Sequence, residues 1–124
     1  MKLKRVLKRI EKKDKEQESI ILQLPDGMKK IDIRHIYYVE VQNKVLYYYT
    51  SKGTFSVKGT LQSVEKQLGN YAFAKCNHWY LVNLKHVKEV RKNIAVVGCY
   101  EVEISRRNRT AFLTALTEYL GGSI

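Results

Sequence analysis

Short runs of β-branched and aromatic residues, each closed by turn-forming residues, follow one another from Ser19 to Ile104. Ile20-Ile21-Leu22-Gln23-Leu24 is a compact apolar run, and Pro25-Asp26-Gly27 supplies a tight turn into Met28–Ile31. Ile36–Val41 is followed by the polar reversal Gln42-Asn43-Lys44 and then by Val45–Thr50; Ser51-Lys52-Gly53 turns the chain into Thr54–Val57. Further strands are expected at Ala72–Lys75, Tyr80–Asn83, Val87–Val90 and Ile94–Val97, and Tyr100–Ile104 alternates wet and buried positions. Two helices complete the pattern. Thr60 caps one whose stripe is Leu61, Val64 and Leu68, ending at Gly69-Asn70; Ser105 caps the other, with Phe112, Leu113, Leu116 and Leu120 as stripe and Gly121-Gly122 as its end. Strands and helices do not alternate in the βαβ manner. The expected class is therefore mainly β and antiparallel, with one internal and one C-terminal helix, and a parallel nucleotide-binding sheet is not expected.

Residues 1–19 have a different texture. Leu3, Val6, Leu7 and Ile10 fall at helical spacing before a wholly polar stretch, which predicts a short amphipathic helix running into a linker. So narrow a stripe does not stabilise a lone helix. The chain thus divides into this segment and one domain over 20–124. Net charge is +11. Residues 1–19 hold eight basic against four acidic side chains, and residues 20–124 fifteen against eight, so the folded part is basic on its own account. Such an excess draws polyanions, of which nucleic acid is the commonest in a cytosol.

Other function classes find little support. No apolar run reaches membrane-spanning length, and the charged start is unlike a secretion signal, so a cytoplasmic protein without membrane insertion is expected. Cys76 and Cys99 form neither a disulfide framework nor a C-x-x-C pair. Cys76, His78 and His86 lack the second close pair that structural zinc requires, and no catalytic triad, metal motif or phosphate loop is present. No enzyme activity, metal or cofactor is expected.

Polar and basic residues instead gather at three strand ends: Asn43-Lys44, Lys75-Cys76-Asn77-His78-Trp79, and Ser105-Arg106-Arg107-Asn108-Arg109. Arginine pairs in bidentate fashion with guanine, asparagine with adenine, and lysine with phosphate, so three such loops suit a protein that reads grooves. The arginines stand at a helix start, where the dipole disfavours cations, and this suggests a functional reason for them. Asn43-Lys44 equally fits a plain hairpin tip. Cys76 and His78, if they face DNA, would make binding respond to oxidant or to pH.

At these same residues the sequence resembles the LytTR family of DNA-binding domains, the output domains of many bacterial response regulators. The resemblance runs from about Ile31 to Tyr119 and rests on four ordered segments: Ile36–Glu40, Val57-Lys58-Gly59-Thr60-Leu61, Phe73–Leu84 and Val102–Arg107. Phe73–Leu84 is similar to the family core F-x-R-x-H-R-S-x-L-V-N, and Val102–Arg107 to its x-V-S-R-R end strand. The resemblance implies an elongated array of short antiparallel sheets that grips duplex DNA with loops in successive major grooves. By position, Lys44 takes the first reading loop, His78 the second and Arg107 the third. Asn43, Asn77 and Asn108 are adjacent polar candidates, and Lys75, Trp79 and Arg106 are phosphate or sugar neighbours. The family often has His-Arg-Ser where this chain has Asn77-His78-Trp79, which changes the bases that are read. Asn83 keeps the family pattern and is expected to hydrogen-bond within the fold.

The implied partner is double-stranded promoter DNA, bound as two copies on direct repeats, with homodimerisation on the DNA. Leu3–Ile10 resembles the last helix of a receiver domain, so a sensor histidine kinase acting through an upstream receiver is a further expected partner; the alternative is a stand-alone regulator controlled by a protein. Two readings from other classes stay open. Tyr47-Tyr48-Tyr49 and Trp79 would serve an RNA or single-strand binder, although alternation sends at least one of the tyrosines into the core. A basic face would also suit an acidic protein partner.

Overall fold

The structure, a computed structural model, describes residues 18–121. The expected N-terminal helix and Gly122 lie outside the described residues. Among the described residues there are ten strands: β1 (Ser19–Leu24), β2 (Gly27–Asp32), β3 (Ile36–Gln42), β4 (Val45–Thr50), β5 (Gly53–Lys58), β6 (Phe73–Asn77), β7 (Tyr80–Asn83), β8 (Val87–Arg91), β9 (Ile94–Val97) and β10 (Tyr100–Glu103). Helix α1 (Leu61–Leu68) lies between β5 and β6, and α2 (Arg106–Gly121) follows β10. The strands form three antiparallel sheets: the β1–β2 hairpin, a five-stranded sheet ordered β5-β4-β3-β7-β6, and a three-stranded sheet ordered β10-β9-β8. This is the mainly β architecture expected from the alternation and turn chemistry.

The two central strands of the large sheet face apolar layers on both sides. Val39 and Leu81 are cross-strand partners on one face, and Tyr38 and Val82 on the other. On the first face, Val39, Leu46, Tyr48 and Leu81 pack with Ile20, Leu22 and Ile31 of the hairpin and with Leu61, Val64 and Leu68 of α1. On the second, Tyr38, Cys76 and Val82 pack with Ala95, Val97 and Val102 of the small sheet, Ile104, and Phe112 and Leu116 of α2. Each fully buried aliphatic or aromatic side chain contributes about 1.5–3 kcal/mol. The large sheet thus serves two cores at once.

Local chemistry sets the junctions. Thr60 accepts from the Ser63 amide at 3.2 Å and starts α1. Asn83 is buried; its amide donates to the Ile36 carbonyl at 2.9 Å and its oxygen accepts from the Lys85 N–H, the internal role expected of it. β6 departs from its expected Ala72–Lys75 span. Ala72 takes a left-handed φ of 61° and its carbonyl accepts from the Leu84 N–H, so it belongs to the turn. At the other end the strand continues through Asn77 across an irregularity: Lys75 pairs with Leu81 and Asn77 with Tyr80, leaving Cys76 as an extra residue.

Candidate nucleic-acid interface

The β3–β4 tip is a two-residue turn, since Gln42 pairs with Val45. Asn43 and Lys44 have φ of 50° and 63°, the pair of positive values that a type I′ hairpin needs. Asparagine accepts that conformation readily; lysine does so at about 1 kcal/mol. The Lys44 carbonyl accepts from the Gly59 N–H at 2.9 Å, bracing the tip against the approach to α1, while its side chain stays exposed. The segment is therefore both a hairpin tip and a presented cation.

The bulge at Cys76 governs the β6–β7 loop. Simple alternation would put Asn77 on the Lys75 face; one extra residue reverses that parity and turns Asn77 inward. Asn77 is 3% exposed, donates to the Glu103 carbonyl at 3.3 Å and accepts from the Trp79 N–H at 3.2 Å. The amide expected among the DNA-contacting groups is thus buried and hydrogen-bonded inside the protein. Cys76 is fully buried, its thiol close to the Glu103 carbonyl, and burial pushes its pKa up to about 12. The thiol is closed off from solvent, which removes the structural basis for direct oxidant sensing by that residue. His78 and Trp79, next along the chain, are exposed, with rings edge to face at 5.5 Å. Trp79 donates its N–H to Asn77 and its carbonyl accepts from Val41 at 3.0 Å, so an indole 53% exposed stands on a fixed backbone. Lys44, Lys75 and His78 line one open cleft beside α1, and Asn43, His78 and Trp79 line the adjoining one.

At the β10–α2 junction, Ser105 caps the helix. Its Oγ accepts from the Asn108 N–H at 3.2 Å and donates to Asn108 Oδ1 at 2.9 Å. Asn108 thus has its carbonyl oxygen engaged in the cap, and bidentate pairing with adenine would require breaking it. Arg106 and Arg107 are exposed and form no ion pair with a described carboxylate. The Ser105 N–H donates to the Cys76 carbonyl at 2.9 Å. The β6–β7 loop is therefore hydrogen-bonded to β3 on one side and to the segment before the helix on the other; Lys44 and His78 share one cleft, His78 and Trp79 the next, and Arg106 and Arg107 stand at the adjoining start of α2.

One contributor was missed from the sequence. The reversal Lys92-Asn93 between β8 and β9 lines a cleft with Arg106 and Arg109, and the Arg109 guanidinium donates to the Lys92 carbonyl. The run Arg91-Lys92-Asn93 carried the same polar-basic signature as the other strand ends and was open to the same reading.

The tyrosines are mostly occupied elsewhere. Tyr48 is 2% exposed in the first core, and Tyr49 stacks on Tyr38 at 4.5 Å while donating to Glu40. Tyr100 meets both at 5.4 Å, joining the small sheet to the large one. Burial pushes Tyr48 and Tyr49 up to about 12 and raises Tyr38 as well. Among the described residues, no group of three His, Cys, Asp or Glu is placed to hold a metal ion, and no helix is long and apolar enough to cross a membrane.

Comparison with known proteins agrees with this architecture. The family model described as the LytTr DNA-binding domain matches residues 26–117. Among solved structures, the chain is similar to the LytTr DNA-binding domain of a protein described as a methyl-accepting/DNA response regulator from Bacillus cereus. The identity is 22% and the TM-score 0.71, covering 79% of this chain and 95% of that one. No curated protein matches. With most of its length matched by the family model, the chain belongs to the LytTR family of DNA-binding domains.

Proposed function

We propose that the chain binds duplex DNA sequence-specifically, as the output domain of a bacterial transcription regulator in the cytoplasm. Lys44, His78 and Arg107 read base edges in successive major grooves, with Asn43 an adjacent polar contact; Lys75, Trp79 and Arg106 hold backbone and sugar around them. What carries this reading is one arrangement: the Val41–Trp79 and Ser105–Cys76 backbone hydrogen bonds set three loops with exposed polar and basic side chains next to one another. Arginine, histidine and lysine there meet the acceptor-rich edges of the major groove and the phosphates beside it. Two copies on direct repeats would place equivalent loops on successive turns. An upstream receiver domain, addressed by a sensor histidine kinase, would control that pairing; a native translation start immediately before Met1 would overturn this last element.

The test is selection of bound duplexes from fragmented genomic DNA, repeated with Arg107→Ala. The expected result is one enriched motif for the wild type, and for the variant a loss of roughly 1–3 kcal/mol with relaxed preference at one base position. Equal loss on specific and random DNA would show that Arg107 reads no base. Single strands outcompeting the duplex would favour stacking on Trp79 instead.

A further inference from the structure

We propose that the β8–β9 tip forms, with the first turn of α2, a fourth DNA contact: a phosphodiester-binding cleft lined by Lys92, Arg106 and Arg109. This rests on the duplex-binding reading above, shares Arg106 with it, and adds the β8–β9 tip and Arg109, which that reading does not contain. The cleft is open, about 530 Å³, and Glu103 is its one acidic lining residue against three cations. None of the three cations forms an ion pair with a described carboxylate. Two of them also stand at the end of a helix whose dipole disfavours positive charge. Gathering like charges there is unfavourable in the free protein and becomes favourable when an anion fills the space between them.

The backbone gives an independent indication. Lys92 has φ of 52°, in the left-handed region that a lysine enters at about 1 kcal/mol and that asparagine or glycine enters readily. Lys44, at the tip of the first reading loop, has the same feature. Two hairpin tips thus hold lysine where a smaller residue would fold more easily. The Arg109 guanidinium is bonded to the Lys92 main-chain carbonyl, which fixes the tip against the helix and leaves the Lys92 ammonium for a ligand. Arg106 lines this cleft and neighbours Arg107 in sequence. A phosphate held by Lys92 and Arg106 would lie beside the base that Arg107 reads, so the cleft would set the depth and angle at which the helix start enters the groove.

Because the Arg109 bond is made to the Lys92 main-chain carbonyl, Lys92→Gln removes the charge without removing that bond. The experiment measures binding of Lys92→Gln, Lys92→Gln/Arg106→Gln and the distant control Lys30→Gln to the selected duplex and to a random one, across a salt series. Each phosphate contact contributes about 0.9 to the slope of log K against log salt. The expected outcome is a slope lower by about 0.9 for Lys92→Gln and by about 1.8 for the double variant. Both duplexes should weaken by the same factor, with Tm unchanged and Lys30→Gln like the wild type. A Lys92→Gln slope equal to that of the wild type or of Lys30→Gln, in a protein that binds its selected duplex, would overturn the cleft. A wild-type protein that selects no duplex would sink the underlying reading of function.

Discussion

Asn77 and Arg107 illustrate two fates of polar residues on the same basic side. Asn77 satisfies the Glu103 carbonyl and the Trp79 N–H from a buried position, so Asn77→Ala leaves the Trp79 N–H without this partner and the Glu103 carbonyl with the weaker Cys76 thiol, and should destabilise the fold by about 1–3 kcal/mol. Urea unfolding measures this, and binding to random and specific duplex should fall together. Arg107→Ala should leave the urea midpoint nearly unchanged, since its side chain has no described ion pair. The two cysteines differ in the same way. Cys99 is exposed, and Cys76 is buried with its thiol pKa raised to about 12, so a thiol reagent under native conditions should label Cys99 and spare Cys76 until the protein unfolds. The buried tyrosines set the alkaline limit. Tyr48 and Tyr49 ordinarily ionise near 10.0 and in the fold near 12, so the neutral phenol is favoured by folding. Their contribution is complete below pH 10 and is lost as pH rises toward 12, a window that tyrosinate absorbance and circular dichroism can follow together.

At the scale of elements, the hairpin tips exchange stability for presentation. Lys44→Gly removes the side chain that resists φ of 63°, but adds glycine's entropy to the unfolded chain. The net expected effect is stabilisation by up to about 1 kcal/mol, accompanied by weaker DNA binding; thermal melts and gel shifts on the same preparation check both signs. A variant that gained affinity would remove Lys44 from the interface. The β9–β10 turn behaves oppositely. Gly98 has φ of 61°, and an added Cβ would lie 2.7 Å from the Tyr37 ring, so Gly98→Ala should destabilise through both strain and overlap.

For the whole molecule, the five-stranded sheet couples the two cores, because neighbouring residues of β3 and β7 point into different ones. Phe112→Ala in the second core should cost about 3–5 kcal/mol. It should shift one unfolding transition seen alike by near- and far-ultraviolet circular dichroism. Two separated transitions would show that the sheet does not transmit the loss. The same coupling fixes the interface, since two of its three loops leave strands of this sheet and the third is hydrogen-bonded to one of them.

Much of this was legible in the sequence because it depends on local chemistry. Aromatic and β-branched enrichment between turns located β4, β7 and β9 at their observed spans, Thr60 and Ser105 announced the helix starts, and Gln42-Asn43-Lys44 announced a reversal. The sequence also placed the basic side chains at strand ends. It did not tell that Asn77 turns inward, because a bulge is an extra residue in a pairing and becomes visible only when Lys75 and Asn77 are set against Leu81 and Tyr80. Nor did it bring Lys92 beside Arg106 and Arg109, which requires the small sheet to pack against α2. The burial of Tyr48 but not Tyr47 follows from which sheet face meets the first core. Periodicity and turn preference act within a few residues and can be read along the chain. Which polar side chains remain free for a ligand is decided by neighbours far apart in sequence, and only the tertiary structure supplies those.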